Sequence, residues 1–151
     1  MSKRVRAGIV WGIVASISMS TFHRLAKWLG MFPVWPPTPA SVVKRIFGSG
    51  MSHPLLIVLA IAFHLAYGGF WGGALWASTP RITVWKGIGL GVFLWLIMQL
   101  AVFPFLGWGV FASGMNSKIA PAALTEHLVF GTVLGWLGTR TTVRSRVSLA
   151  S

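Results

Sequence analysis

The sequence has no cysteine and one acidic residue, Glu126, in 151 positions. Without cysteine the chain can form no disulfide, no thiolate nucleophile and no iron–sulfur ligand set. With a single carboxylate it has no paired acids for general acid–base catalysis, and it contains no Cys–His pair and no phosphate-binding loop. These absences indicate a protein that is not an enzyme and that carries no metal site.

Charged residues are also scarce, and almost all of them are basic. They make up 9% of the chain, against roughly 25% in soluble domains. Hydrophobic residues make up 55%, too many for a soluble protein of this size to cover, so we predict an integral membrane protein. A net charge of +12 raises nucleic acid as an alternative partner. Because the basic residues stand at the edges of apolar runs, anionic lipid headgroups are the favoured partner and nucleic acid is not.

Four segments are long and apolar enough to cross a hydrocarbon core, which takes about 20 residues. We expect spanning helices at about 7–25, 54–77, 86–106 and 119–137. The basic start followed by an apolar run also fits a signal peptide. We interpret it as a retained first helix, because no clear small-x-small cleavage site precedes a polar region.

The remaining segments of this single membrane domain, 1–151, are connections and a tail. The longest connection, 30–50, is rich in proline and predicts an extended stretch, then a short amphipathic helix on the headgroups starting at Thr38, or else an irregular basic loop. Gly138 is expected to end the last helix, so that 138–151 forms a basic tail. Eight Lys and Arg residues on one side against five on the other favour a multi-pass protein of the cell membrane with both termini in the cytoplasm.

Two of the predicted helices share the pattern A-x-x-x-H-L-x-[YF]-G-x-x-x-G. HLAYGGFWG begins at His64, and HLVFGTVLG begins 63 positions later at His127. The first and third predicted helices match more weakly at a shift of 79, through their Gly-x-x-x-Gly pairs. Both matches predict two tandem two-helix hairpins, and hence an all-α four-helix bundle with an internal repeat.

Small residues at intervals of four form a stripe along each of the two strongly matched helices. Such stripes let backbones approach closely, which matters because lipid supplies no hydrophobic force between helices. We expect the two stripes to face each other across a pseudo-two-fold axis along the membrane normal. The predicted packing residues are Ala60, Gly68, Gly72, Ala123, Gly131 and Gly135.

Four polar side chains fall inside the predicted helices, where polar groups usually face the interior. They are His64, Gln99, Glu126 and His127. The first interpretation is structural: they bond across helix interfaces in a non-catalytic scaffold, a homo-oligomer or a subunit of a membrane complex, without a cofactor. Two further histidines, His23 and His53, are expected near the outer interface, in contact with water.

Two functional alternatives use the same residues. His64 and His127 on facing helices can supply the axial pair of haem b, or a quinone site, in an electron-transfer subunit. The neighbouring glycines would then leave room for a flat macrocycle. Alternatively, Glu126 and His127 can carry protons or ions, with Glu126 as counter-ion to an imidazolium on another helix. Zinc would need a third ligand, and none is evident.

The opening GIVWGIVASISMSTFHRLAKWLG, followed by PVWPPTPASVVKRIF, resembles small multi-pass membrane proteins of the YagU-like family. There too, a Gly-x-x-x-Gly first helix with a late Met precedes a proline-rich amphipathic loop. The His-x-x-[YF]-Gly-x-x-x-Gly stretches at His64 and His127 are similar to that group as well. The resemblance implies an inner-membrane location, and it implies no reaction and no site residues.

Overall fold

The computed structural model describes the backbone of residues 1–147 and the side chains of residues 1–141. Within these residues the fold is all-helical and contains no strand. The five helices are α1 (Lys3–Trp28), α2 (Thr38–Phe47), α3 (His53–Ser78), α4 (Val84–Phe105) and α5 (Ile119–Val147).

Three helices, α1, α3 and α4, are long and apolar enough to cross a membrane, by length and composition. This finding supports a membrane protein. Helix α5 is not among the three found in the described part of the chain, and it carries Glu126 and His127 within its apolar stretch. The fourth expected span, at about 119–137, therefore stays a prediction.

The end of α5 differs from the predicted one. The helix continues past Leu137 to Val147, so residues 138–147 are helical instead of forming a tail. The last four residues of the expected tail, 148–151, lie outside the described residues. Gly138 does not end the helix, because it serves close packing: a Cβ there would collide with Ile82 and lie 2.9 Å from the Trp76 ring.

Helix α2 forms where the amphipathic pattern predicted a short helix. It begins at Thr38, with a proline in its first turn and no side-chain cap. Val43 is fully buried, and Phe47 meets Phe63 of α3 with ring centroids 6.3 Å apart. The helix therefore packs along α3, so the second half of the connection lies against the long helices.

Helix α4 is irregular near its end. A regular stretch, Val84–Ile97, is followed by a π-helical turn, Met98–Val102, and a last α-helical turn. The Phe103 N–H donates to the carbonyl of Met98, five residues earlier. Pro104 follows immediately and has no N–H for the preceding turn, so backbone pairing is disturbed where the helix widens.

Glycines bring α1 and α3 into backbone contact. Gly8 and Gly12 of α1 lie against Gly72 and Gly68 of α3. A Cβ at Gly72 would lie 2.8 Å from the Gly12 Cα, and one at Gly68 would lie 2.9 Å from the Gly12 carbonyl oxygen. Since atoms cannot approach so closely, this contact needs glycine on both helices.

Helices α4 and α5 meet in the same manner. Gly87 lies against Gly131 and Gly135, and Gly91 lies against the His127 carbonyl and Gly131. The expected contact between the stripes of α3 and α5 is therefore wrong, because each stripe faces the glycines of the preceding long helix. A backbone contact requires small residues on both partners, and α1 and α4 supply them.

Side chains of α1, α3, α4 and α5 share one core, and α1 also packs along α5. Helices α3 and α4 touch through large side chains, with the Trp71 and Phe93 rings 5.7 Å apart. A second cluster, which we call the aromatic cap, closes the end at which α1 stops and α5 begins. It consists of Trp35, Phe103, Ala112, Ile119 and Ala122, with Phe32, Met98 and Trp108 against it.

Alanine substitutions at two glycines of α4 distinguish the effect of helix packing on stability from the effect of helix propensity. Gly91→Ala places a methyl group against the His127 carbonyl, and we expect it to lower the unfolding free energy by about 1–3 kcal/mol. Gly89→Ala is the matched control, since a Cβ there has nothing within 4 Å, and it should be neutral or slightly stabilising. Thermal unfolding in mild detergent measures both, and equal Tm values would contradict the contact.

Candidate functional site

The single carboxylate of the chain is buried and paired. Glu126 is 8% exposed, and its Oε1 lies 2.7 Å from Nδ1 of His23. The contact joins α5 to α1, and the His23 side chain is 21% exposed. With a protonated imidazole, Nδ1–H donates to the carboxylate, which makes a charge-assisted hydrogen bond in an apolar surrounding.

The proline-rich connection shields this pair. Trp35 is 5% exposed, and its ring stands edge-on to His23 with centroids 5.0 Å apart. Phe32 lies 6.2 Å from Trp35, so the aromatic cap covers the imidazole. His23 is therefore less exposed than the sequence predicted, because Glu126 and Trp35 occupy two of its sides and leave 21% of the side chain accessible. By contrast, His53 is exposed.

His127 follows Glu126 on α5 and is 6% exposed. Its Nδ1 lies 2.8 Å from the carbonyl oxygen of Ala123, one turn earlier. In the neutral ring this Nδ1–H donates to the carbonyl, which leaves Nε2 as an acceptor. The ring is also near enough to Glu126 and His64 for electrostatic interactions.

His64 on α3 points toward the same interior. Its ring faces the backbone of Ser16 on α1, and it interacts electrostatically with Glu126. Its Nε2 is buried and has no hydrogen-bond partner within the described residues. The structure thus brings together His64, Glu126 and His127 as predicted site residues, and it adds His23.

Gln99 is the most completely buried of the predicted polar residues, at 0% exposure. It lies in the π-helical turn of α4. Neither its amide oxygen nor its amide nitrogen has a partner in the part of the chain that the structure describes. A buried polar group left unpaired costs about 1–3 kcal/mol, so this amide is suited to receive a water molecule or a ligand.

The packing of α4 against α5 places Gln99 nearer the aromatic cap than Glu126. The two helices are antiparallel, with Gly91 against the His127 carbonyl and Gly131. Gln99 lies eight residues past Gly91 toward the cap, whereas Glu126 lies one residue past His127 in the same direction. The buried amide and the buried carboxylate are therefore at different depths.

Residues 1–141 contain no group of three or more His, Asp or Glu side chains placed to hold a metal ion. The pair His64 and His127 was the candidate for haem. The glycines one turn away were expected to leave room for a macrocycle, but Gly68 and Gly131 instead contact the backbones of α1 and α4. The space beside these two glycines is therefore filled by neighbouring helices.

The packing glycines of the sequence prediction are all buried, as is Ala123, while Ala60 is half-buried. Sequence reasoning missed His23, although a signal was available. His23 lies five residues before the end of α1, and Glu126 lies seven after the start of α5, which is about 8 and 10 Å along the helices. Since both distances are measured from the same end, the two side chains share a depth.

A double-mutant cycle tests the His23–Glu126 pair. We expect Glu126→Gln and His23→Asn each to destabilise the protein, and the double variant to lose less than the sum, with a coupling of about 1.5–3 kcal/mol. The measurement is unfolding free energy in detergent. His53→Asn is the matched control, because that imidazole is exposed and should show no coupling with Glu126. Additive losses would mean that the two side chains do not interact.

An absorption spectrum tests the haem alternative. We expect the protein purified from cells supplied with haem to be colourless, because helix backbones occupy the space beside Gly68 and Gly131. A Soret band that His64→Ala or His127→Ala removes would overturn this expectation. His53→Ala is the control for unspecific binding to an exposed histidine.

No protein-family model, curated protein or solved structure matches this chain. Its proposed function therefore depends on the contact of Glu126 with His23 and on the two deep imidazoles.

Proposed function

We propose that the chain is an integral membrane protein with four spans, built as a four-helix bundle of two related hairpins. The glycine contacts support this. The α1–α3 contact of Gly12 with Gly68 corresponds to the α4–α5 contact of Gly91 with Gly131, at the same shifts of 79 and 63 that align the sequence. In this arrangement α5 is the fourth span, and its buried acid is neutralised by His23 instead of facing lipid.

Both termini are proposed to lie in the cytoplasm of the cell membrane, in line with the excess of Lys and Arg on that side. Trp28 and Trp85 are 81% and 80% exposed at opposite ends of the long helices, where the two membrane interfaces would be. Basic residues near both ends suit anionic headgroups as partners.

Within this frame we propose that the protein moves protons or small cations across the membrane. The observation that carries the proposal is the contact of the buried Glu126 with the partly buried His23, with His64 and His127 in electrostatic range. Imidazole side chains exchange protons near neutral pH, and chains of carboxyl and imidazole groups inside membranes form proton relays.

Polar atoms continue from this contact along α1. His23 is followed by Ser16, which meets His64, and then by Trp11, whose indole Nε1 is buried without a partner among residues 1–141. The twelve positions from His23 to Trp11 cover about 18 Å at the helical rise, more than half of a hydrocarbon core. Water molecules between these groups would complete a hydrogen-bonded route.

A structural role for the same contact is the competing function, and it was the first expectation from the sequence: a non-catalytic scaffold, homo-oligomer or subunit. Pairing of Glu126 with His23 does not by itself explain a buried acid, because replacing a buried ion pair with hydrophobic residues often leaves stability unchanged or increases it. The two functions predict different results for the purified protein, because only a transport protein conducts protons or cations.

Proton flux into liposomes tests the proposal. The full chain is reconstituted with a pH-sensitive dye inside, and a potassium diffusion potential drives protons inward. We expect uptake above the protein-free level, its loss in Glu126→Gln because the site loses its titratable carboxyl, and a strong decrease in His23→Asn. His53→Asn should conduct like the wild type, because His53 is exposed and away from the pair.

Two results would count against transport. If proton uptake into vesicles with the wild-type protein equals that into protein-free vesicles, the structural function is the one that remains. The oligomeric state in detergent would then be the property to measure. Unchanged flux in a folded Glu126→Gln variant would remove Glu126 from the pathway.

A further inference from the structure

An open apolar groove lies between α1 and α3. Its volume is about 240 Å³, below the roughly 300–1,000 Å³ of pockets that enclose a drug-sized ligand, which suits a segment of an acyl chain. We infer that the groove binds one chain of an anionic phospholipid whose phosphate is held by Arg6. This inference rests on the proposed placement of the protein in a membrane and names a specific lipid partner. The groove is lined by Val5, Ile9, Phe70, Gly73, Ala74 and Ala77.

Small residues of α3 keep the groove open. Gly73 has no side chain, and a Cβ there would lie 2.9 Å from Cγ1 of Ile9 on α1. Ala74 and Ala77 lie on the same side of the helix as Gly73. Phe70 bounds the groove at its other end, seven residues from Ala77, which is about 10 Å along the helix. Because every lining side chain is apolar, the part of a ligand that lies here must be hydrocarbon.

One end of the groove is level with the basic start of α1. The two helices run in opposite directions, and Gly8 lies against Gly72. Ala77 lies five residues past Gly72, and Lys3 lies five residues before Gly8. At the same rise per residue, Ala77 and Lys3 are therefore at the same depth.

Arg6 is the cation that borders the groove. It follows Val5 directly and lies three residues before Ile9, so its side chain starts beside the two lining residues of α1. The side chain is exposed, and a long arginine near a helix end extends along apolar surface toward the headgroups. Its guanidinium forms two parallel hydrogen bonds with a phosphate. Apolar groove and cation together match a phosphate attached to an acyl chain.

Acidic side chains cannot neutralise Arg6. The chain has 13 Lys and Arg residues and one acid, Glu126, which pairs with His23. His23 lies seventeen residues from Arg6, about 25 Å along α1. The negative charge at the groove must therefore come from a group other than an acidic side chain of this chain, and the headgroup of an anionic lipid supplies it.

A second copy of the chain fits the groove less well. A two-fold dimer brings the same surface patch of both chains together. Contact between two grooves would therefore place Lys3, Arg4 and Arg6 of both copies side by side, and like charges in an interface are unfavourable. A lipid instead provides hydrocarbon for the groove and negative charge for the arginine in one molecule.

Thermal unfolding of the full chain in neutral detergent tests the site. Tm is followed while phosphatidylglycerol, or phosphatidylcholine with the same acyl chains, is added. We expect phosphatidylglycerol to raise Tm at lower concentration, because it binds the folded state more tightly. Arg6→Gln should raise the half-saturating concentration about fivefold, which corresponds to ~1 kcal/mol for one basic residue near an anionic headgroup. Arg24→Gln is the matched control, since it removes a charge at the other end of α1. Equal responses to the two lipids would overturn the inference.

Filling the groove tests the acyl chain separately from the charge. Ala77→Leu should weaken the effect of phosphatidylglycerol, whereas Ala66→Leu should not, because Ala66 is exposed on α3 outside the groove. Glycerol phosphate, which has the headgroup phosphate but no acyl chain, should leave Tm unchanged. A Tm increase as large as that with the lipid would show a phosphate site that does not need the groove.

Lipid retention gives a measurement that does not depend on the stability of a groove variant. The wild type and Arg6→Gln are passed through size-exclusion chromatography from an equal mixture of the two lipids, and the retained lipid is quantified by mass spectrometry. We expect the wild type to retain more phosphatidylglycerol than phosphatidylcholine, and Arg6→Gln to lose this preference. A dimeric wild type that Ala77→Leu converts to a monomer would instead identify a second copy as the occupant.

The outcomes distinguish this inference from the proposed function. Proton uptake that requires Glu126, without any preference for phosphatidylglycerol, would disprove the lipid site and leave transport standing. A preference that depends on Arg6, without proton uptake, would leave the lipid site in a membrane protein that does not conduct. Recovery of the chain with soluble proteins after cell fractionation would remove both proposals.

Discussion

One buried charge governs the interior of this protein. A carboxylate inside an assembly of apolar helices is tolerated only when a cationic or hydrogen-bonding partner is held against it. His23 provides that partner from α1, and Trp35 in the proline-rich connection holds the imidazole from behind. The position of α1 against α5 and the fold of the connection are therefore tied to the same contact.

Glycine contacts decide where the polar groups can be. Because α1 meets α3, and α4 meets α5, through backbone atoms, there is no space for side chains at those levels. Polar groups are found beside or beyond the contacts, near Ser16 and His64, and then around Glu126. Close packing at one end and a polar interior toward the other are two results of the same distribution of small residues.

The sequence predicted the helical class and the position of every long helix, because uninterrupted apolar runs leave few alternatives. It placed His64, Gln99, Glu126 and His127 in the interior from the cost of polar groups in lipid. It assigned the glycine stripes to the wrong partners, since periodicity identifies a face but not which helix covers it. It also missed the pairing of His23 with Glu126, although both residues lie at similar distances from the same end of their helices.

Irregular helix geometry is equally hard to predict from the sequence. Nothing in WLIMQLAVFPF marks the π-helical turn except a proline after it, and the extended helix end past Gly138 depends on packing against Ile82 and Trp76. The extended helix end thus arises from a tertiary contact that overrides the local preference of glycine for a helix end.

The π-helical turn has a consequence for how α4 can change. One extra residue is accommodated between the glycines that face α5 and Phe103 in the aromatic cap, so the two ends of the helix keep separate rotational registers. Removing a single residue there would restore an ordinary helix with both ends in place and turn the interior amide toward another neighbour. An insertion or deletion of one residue in this turn can thus change the side chains at the centre of α4, while the glycine contact with α5 and the contact of Phe103 in the aromatic cap stay the same.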